Sequence, residues 1–244
     1  MVLEKDTKLK GRSLAGIVQA YLVRGDDRKI KLGKEYIGTF LGDKDYVTYT
    51  VDVGVRGELK IDTDRRMEII LENDKVKNTY YTDNNGPGKG YSTTIAVEKG
   101  TYDLKLSGVR GDFKFKCRAE SITSVINDKS MEGIDVGNSK KFVIVDAEDK
   151  GRVHWIRIEV KKPTSIELRS TWLGGNGKLN FRIAYSGRSD IYFNEYYINT
   201  FKRESAISVA DNGKWPAGVY YIGVSKEDVK ASGVFKIEAI EVAK

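Results

Sequence analysis

The chain has 244 residues, with 42 Lys and Arg against 35 Asp and Glu, a formal charge of +7 spread evenly over both halves. One Cys and one His exclude an internal disulfide framework, a thiolate metal cluster and His-rich metal sites, and they leave little room for His-based acid–base chemistry. Hydrophobic residues make up 40%, enough for a core, and no apolar run approaches the roughly 18 residues of a membrane span.

At the N-terminus Lys5, Lys8, Lys10 and Arg12 precede a mildly apolar stretch over 14–23, with Val18-Gln19-Ala20 at the place of a leader cleavage site. Gly16 and Gln19 interrupt that stretch, and Glu4 and Asp6 sit in the positive region. The reading therefore favours a strand or short helix leading into the first domain. From there the dominant signal is alternation with period two. Val47, Tyr49, Val51 and Val53 share one face, and Tyr46, Thr48, Thr50 and Asp52 the other. Tyr102, Leu104 and Leu106 alternate with Thr101, Asp103 and Lys105, and Phe113, Phe115 and Cys117 with Asp112, Lys114, Lys116 and Arg118. In the second half Leu179, Phe181, Ile183 and Tyr185 alternate with Lys178, Asn180, Arg182 and Ala184. Such strands bury one face and wet the other, as antiparallel sheets do. Gly with Asn or Asp punctuates them at 42–43, 83–86, 174–177 and 211–213. Only short segments such as 226–230 suit a helix.

The strand pattern repeats. Val51-Asp52-Val53 with Ile61 parallels Ile158-Glu159-Val160 with Leu168, and Gly100-Thr101-Tyr102 parallels Gly218-Val219-Tyr220. Gly111-Asp112-Phe113-Lys114-Phe115 then parallels Gly233-Val234-Phe235-Lys236-Ile237. The second copy carries about eleven more residues between its landmarks. Each copy is the size of a β-sandwich. The expected fold is all-β, two tandem antiparallel β-sandwiches of jelly-roll type, with residues 1–30 as an extension, 31–122 as the first domain and 123–244 as the second. The boundary is expected in the polar stretch 123–133.

These landmarks, in this order, resemble the bacterial pre-peptidase C-terminal domain family, which includes collagen-binding modules of secreted collagenases. The first copy supplies Tyr36-Ile37-Gly38, Asp45-Tyr46, Gly100-Thr101-Tyr102 and Gly111-Asp112-Phe113; the second supplies 153–160, Pro216-Ala217-Gly218-Val219-Tyr220 and Gly233-Val234-Phe235. The resemblance covers most of 31–244 in two tandem copies and departs from the family in lacking an Asp-x-Asp-(apolar) strand after the first extended segment. It implies a noncatalytic module of secreted or surface proteins.

The loop Asn84-Asn85-Gly86-Pro87-Gly88-Lys89-Gly90 has the glycines of a phosphate loop, but Gly90 follows Lys89 and the next segment alternates as a strand, so a hairpin is expected. Asp43, Asp45, Asp62, Asp64, Asp83 and Asn84 can offer oxygens to calcium only if the fold gathers them, and turn chemistry explains them otherwise. No other cofactor is indicated. Arg24-Gly25-Asp26 and Arg110-Gly111-Asp112 match an integrin-ligand tripeptide, which needs a protruding loop to act. His154 shares the parity of Ile156, Ile158 and Val160, which marks a packing residue, with Trp155 on the other parity. Cys117 reads as a small buried hydrophobe.

The aromatics near turns carry the functional reading: Tyr80, Tyr81, Tyr91, Trp172, Tyr192, Tyr196, Tyr197 and Trp215. Flat apolar rings with a polar handle suit glycans, extended peptides and protein partners. The ligand site is expected at Tyr192, Tyr196, Tyr197, Trp172 and Trp215. The leading expectation is a noncatalytic binding or adhesion module for a polysaccharide or an extended peptide or protein, secreted or at the cell surface, with the cytoplasm as the alternative. The alternatives are a self-associating structural subunit of a surface layer, filament or shell, and a polysaccharide-acting hydrolase with a carboxylate pair. An unclustered charge argues against nucleic acid.

Overall fold

The computed structural model describes residues 28–43, 45–123, 133–145, 153–185, 188–192, 196–199, 202–208, 214–227 and 232–242, with the side chains of 184–192, 196–197, 199 and 207–208 left out. Its first ten strands are β1 (Lys29–Ile30), β2 (Glu35–Phe40), β3 (Tyr46–Val53), β4 (Gly57–Thr63), β5 (Glu68–Glu72), β6 (Lys77–Tyr81), β7 (Asp83–Asn84), β8 (Tyr91–Val97), β9 (Gly100–Ser107) and β10 (Gly111–Ser121). Ten more follow: β11 (Gly133–Asp135), β12 (Ser139–Ile144), β13 (Val153–Val160), β14 (Ile166–Asn176), β15 (Lys178–Tyr185), β16 (Arg188–Tyr192), β17 (Tyr196–Asn199), β18 (Glu204–Ser208), β19 (Gly218–Lys226) and β20 (Ser232–Glu241). The first ten make sheets in the order β1-β3-β9-β5-β6 and β2-β10-β4-β8-β7; the rest make β11-β13-β19-β15-β16, with β17 also on β15, and β12-β20-β14-β18. This is an all-β fold of two tandem sandwiches, and no helix occurs among the described residues.

The alternation in the sequence is the alternation in space. Tyr49, Val51, Tyr102, Leu104, Phe113, Phe115 and Cys117 fill the first core, and Ile156, Ile158, Phe181, Ile222, Phe235 and Ile237 the second. The repeat holds to the level of register: Val53 lies opposite Gly100 and Val160 opposite Gly218. Tyr102 donates its hydroxyl to the Glu98 carbonyl at 2.9 Å, and Tyr220 donates to the Pro216 carbonyl at 3.0 Å. Phe113 pairs with Gly38 where Phe235 pairs with Phe142. A Cβ on Gly38 would lie 2.3 Å from the Phe113 ring, so the first core fills with Phe113 the space that Phe142 helps fill in the second.

Three details differ from the sequence reading. Each sandwich has one parallel pair, β1 with β3 and β11 with β13, because the chain enters beside the third strand before crossing to the other sheet. Ile30 is buried in the first core, so that sandwich starts before residue 31. Lys226 ends β19 rather than opening a helix; 228–230, the leader-like stretch 14–23 and most of the expected boundary, 124–132, lie outside the described residues. The added residues of the second copy include β16 and β17, which both pair with the edge of β15 away from β19, where in the first copy β6 pairs with the edge of β5 away from β9.

The sandwiches meet sheet to sheet. Ala96 and Ile122 of the first pack with Val143 and Val234 of the second, with Val145 and Leu173 alongside. At this seam Lys141 donates to Glu58 at 3.2 Å and Glu120 at 3.3 Å. Glu58 and Glu120 lie directly opposite each other on β4 and β10. Burial, and next the Glu120 carboxylate, push Glu58 above the usual range, while Lys141 pulls it back. Arg203 pairs with Asp83 at 2.5 Å across the same junction.

Candidate recognition face

The packed seam uses the β2-β10-β4-β8 and β12-β20-β14 sheets, which leaves the outer face of the β11-β13-β19-β15 sheet on the far side of the second sandwich. On that face Trp155 of β13 lies opposite Gly223 of β19, which in turn lies opposite Arg182 of β15. The missing side chain at Gly223 decides the local geometry. A Cβ there would lie 2.9 Å from both the Trp155 ring and Arg182 Cγ, and 2.8 Å from Val153. The indole and the guanidinium therefore close over the bare strand, with the Arg182 guanidinium carbon 5.4 Å from the ring centre of Trp155. Tyr221, one register step away and opposite Arg157, meets Trp155 edge to face at 6.5 Å. Arg157 is held by Glu159 at 2.9 Å. The result is a half-exposed aromatic pair flanked by two guanidinium groups on a rigid sheet.

The sequence-predicted site residues divide. Trp172 and Trp215 are corrections: both are buried, at 5% and 0% exposure. Trp172 shares the inward parity of Ile166 and Leu168, and its ring covers Gly233, where a Cβ would lie 2.6 Å away. Trp215 bridges to Thr164, and its ring packs 4.5 Å from that of Tyr220. Tyr196 lies opposite Phe181, Tyr197 opposite Asn180, and Tyr192 opposite Ala184, so all three belong to the same sheet as Trp155; their side chains lie outside the described residues. The sequence reading missed Trp155 and Tyr221 as site residues, and noted Arg182 only as one of the basic residues interleaved with the aromatics. The available signal was parity, since Trp155 is an aromatic residue of β13 on the face opposite Ile156 and Ile158.

The other candidates have separate places. Tyr80 is buried and Tyr81 exposed; Tyr81, Glu68 and Tyr46 lie in one cross-strand row on the outer face of β6, β5 and β3, and Tyr46 donates to Glu68 at 2.5 Å, a bond that raises the Tyr46 phenol. A groove of about 1030 Å³ lies where the β5–β6 and β8–β9 turns of the first sandwich meet Val145 and Ser232 of the second. Asp62 pairs with Arg118 and Asp83 with Arg203, while Asp64 accepts from the Lys114 amide and Asp43 from the Arg110 amide. Among the described residues no three His, Cys, Asp or Glu side chains gather as a metal ligand set. The loop 84–90 is a hairpin connection, closed by Asn85 N–H donating to the Gly90 carbonyl at 3.0 Å. Arg24-Gly25-Asp26 lies outside the described residues. Arg110-Gly111-Asp112 sits at the short turn by which the chain crosses from β9 in one sheet to β10 in the other, and Asp112 accepts from Thr39 at 2.6 Å. His154 is buried. Cys117 is buried too, and burial pushes its thiol up to about 12.

No protein-family model matches the chain, and no curated protein matches it. Among solved structures it is similar to the pre-peptidase C-terminal domain of a collagenase from Bacillus anthracis, at 14% identity and a TM-score of 0.36 over 46% of this chain and 97% of that one. It is also similar to the PBSX exported protein XepA, at 13% identity and a TM-score of 0.26 over 88% of this chain and 91% of that one. A third likeness is to the M60 catalytic domain with two CBM51 domains of Clostridium perfringens ZmpB, at 8% identity and a TM-score of 0.22 over 84% of this chain and 34% of that one.

Proposed function

We propose that the chain is a noncatalytic recognition module, secreted or at the cell surface, that binds an extended polymer along the outer face of its second sandwich. One observation carries this reading: Trp155, Tyr221, Arg157 and Arg182 stand together on an outward sheet face where packing of the core requires none of them. An indole offers an apolar ring to a sugar ring or a peptide side chain, and guanidinium groups beside it donate to carboxylate, sulfate or carbonyl oxygens. A polysaccharide with acidic groups suits this set best, and an extended peptide is the second ligand class. The face continues toward β15 and the strands that carry Tyr192, Tyr196 and Tyr197. His154 and Cys117 take no part in this face: both are buried in the sandwiches, and burial keeps Cys117 a thiol at neutral pH.

The test is affinity electrophoresis against immobilised neutral and acidic polysaccharides, followed by titration calorimetry on any that retard the chain. Trp155→Ala is expected to weaken binding at least tenfold, as loss of an aromatic anchor does, with the chain still folded. Unchanged affinity in Trp155→Ala and Arg182→Ala removes the face.

A further inference from the structure

The seam between the sandwiches uses opposite ends of two equivalent sheets, and among the described residues it leaves one end of each sheet unused. The second sandwich contributes the end around Lys141, Val143, Val145, Val234 and Leu173; the first contributes the other end, around Ala96, Ile122, Glu58 and Glu120. The repeat register gives the counterpart of each. Lys236 pairs with Lys141 as Lys114 pairs with Ile37, so Ile37 stands in the first sandwich where Lys141 stands in the second, and Leu41 stands where Val145 does. Ile240 pairs with Glu167 as Arg118 pairs with Lys60, so Val242 and Ser165 stand in the second sandwich where Glu120 and Glu58 stand in the first.

Among the described residues the exposed large aliphatic side chains fall at these ends, while the exposed Tyr46 and Tyr81 lie on the other sheet of the first sandwich. Ile37 is 67% exposed, Leu41 47%, Val109 of the adjoining β9–β10 turn 71%, and Val242 44%. The chemistry has changed on both sides at once. Where the seam sets a lysine between two carboxylates, the free ends set isoleucine at the lysine position, and valine and serine at the carboxylate positions. An ionic contact has become an apolar one with its complementarity kept. Lys114 and Lys116 line the outward face of β10 beside Ile37, with Glu35 opposite Lys116 and Asp112 opposite Thr39, and Glu167, Glu204 and Glu238 surround Arg169 on the outward face that leads to Val242.

We propose that the chain associates head to tail with a second copy of itself, the Ile37–Leu41 end of one first sandwich docking on the Val242 end of the next chain's second sandwich in the manner of the internal seam. Such a contact joins two different surfaces, so it leaves a free end on each side and extends to a filament or array. It is independent of the Trp155 face and stands or falls separately from it.

Sedimentation equilibrium of the whole chain over increasing concentration tests this. The weight-average mass is expected to rise beyond that of two chains without levelling. Ile37→Lys alone and Val242→Glu alone are each expected to weaken association at least tenfold. The double variant Ile37→Lys/Val242→Glu is expected to regain it, by rebuilding the lysine–carboxylate contact of the seam. Both positions are exposed, so the circular dichroism spectrum and the melting temperature of each variant should match the parent, and polysaccharide binding at Trp155 should be unaffected. A chain that stays monomeric up to about 1 mM, a mass that saturates at two chains, or single variants that associate like the parent would overturn the proposal.

Discussion

Lys141→Met probes the seam most informatively, because it removes a charge while keeping much of the side chain's apolar stem. Lys141 lies 3.2 Å from Glu58 and 3.3 Å from Glu120, with its side chain 40% exposed and that of Glu58 only 12%. Breaking a fully buried pair costs roughly 3–5 kcal/mol, and an exposed one contributes no more than about 1 kcal/mol. The half-open geometry lies between these limits, and the expected loss is about 2 kcal/mol at neutral pH. For a chain of this length that lowers the melting temperature by about 4–8 °C if it unfolds as a unit. The pH dependence distinguishes this cause from lost packing. Glu58 titrates above its ordinary value in the fold, so ionising it costs stability as pH rises through the window above that value. Glu120 is held low by its hydrogen bond with Glu58 and by Lys141, and its contribution is lost as pH falls. Without Lys141, Glu58 rises further and Glu120 loses part of what holds it down. The deficit of the variant should therefore be full near pH 7 and shrink as pH falls and Glu58 takes up its proton, which it does above the ordinary carboxylate range. Urea unfolding of parent, Lys141→Met and Glu58→Gln/Lys141→Met at several pH values measures it, and the double variant should lose most of the pH dependence. A deficit below about 0.5 kcal/mol, or one equal at both ends of the pH range, refutes the reasoning.

Tyr102→Phe and Tyr220→Phe each delete one hydroxyl-to-carbonyl bond at equivalent places in the two sandwiches. Each should cost about 1 kcal/mol in urea unfolding, and a large loss for one with none for the other contradicts their equivalence. Gly174→Ala places a Cβ 2.2 Å from the Thr94 carbonyl oxygen of the facing sandwich, a backbone atom that no rotamer change can move. The seam should open while each core survives: small-angle scattering should show a larger radius of gyration with the β-sheet circular dichroism retained, and an unchanged radius counts against the seam.

The sheets were legible in the sequence because alternation reports which face of a strand is wet, and both cores follow it residue by residue. The repeat was legible for the same reason, down to the Gly-x-Tyr landmarks of β9 and β19. The aromatic site was harder. Trp172 looked like a turn residue because Gly174, Gly175 and Gly177 follow it, yet β14 runs through Asn176, with a register shift between Trp172 and Gly174 that keeps the indole inside. Trp215, beside Pro216, owes its burial to a bridge with Thr164, which nothing local announces. Trp155 was readable from parity alone, whereas its stacking with Arg182 depends on a glycine 68 positions away in sequence from the indole, brought between the two by the order β13-β19-β15. The Lys141 cluster joins residues 83 and 21 positions apart, a distance over which pattern carries no information.

Residue-resolved NMR titration of the isotopically labelled chain with acidic polysaccharides, neutral polysaccharides and extended peptides addresses recognition at the second sandwich most directly. The account predicts shifts centred on the Trp155 indole N–H and the amides of Arg157, Arg182, Tyr221 and Gly223, saturating with an acidic polysaccharide. Perturbations centred instead on the first sandwich, or on the groove beside Tyr80 and Ser232, would contradict it.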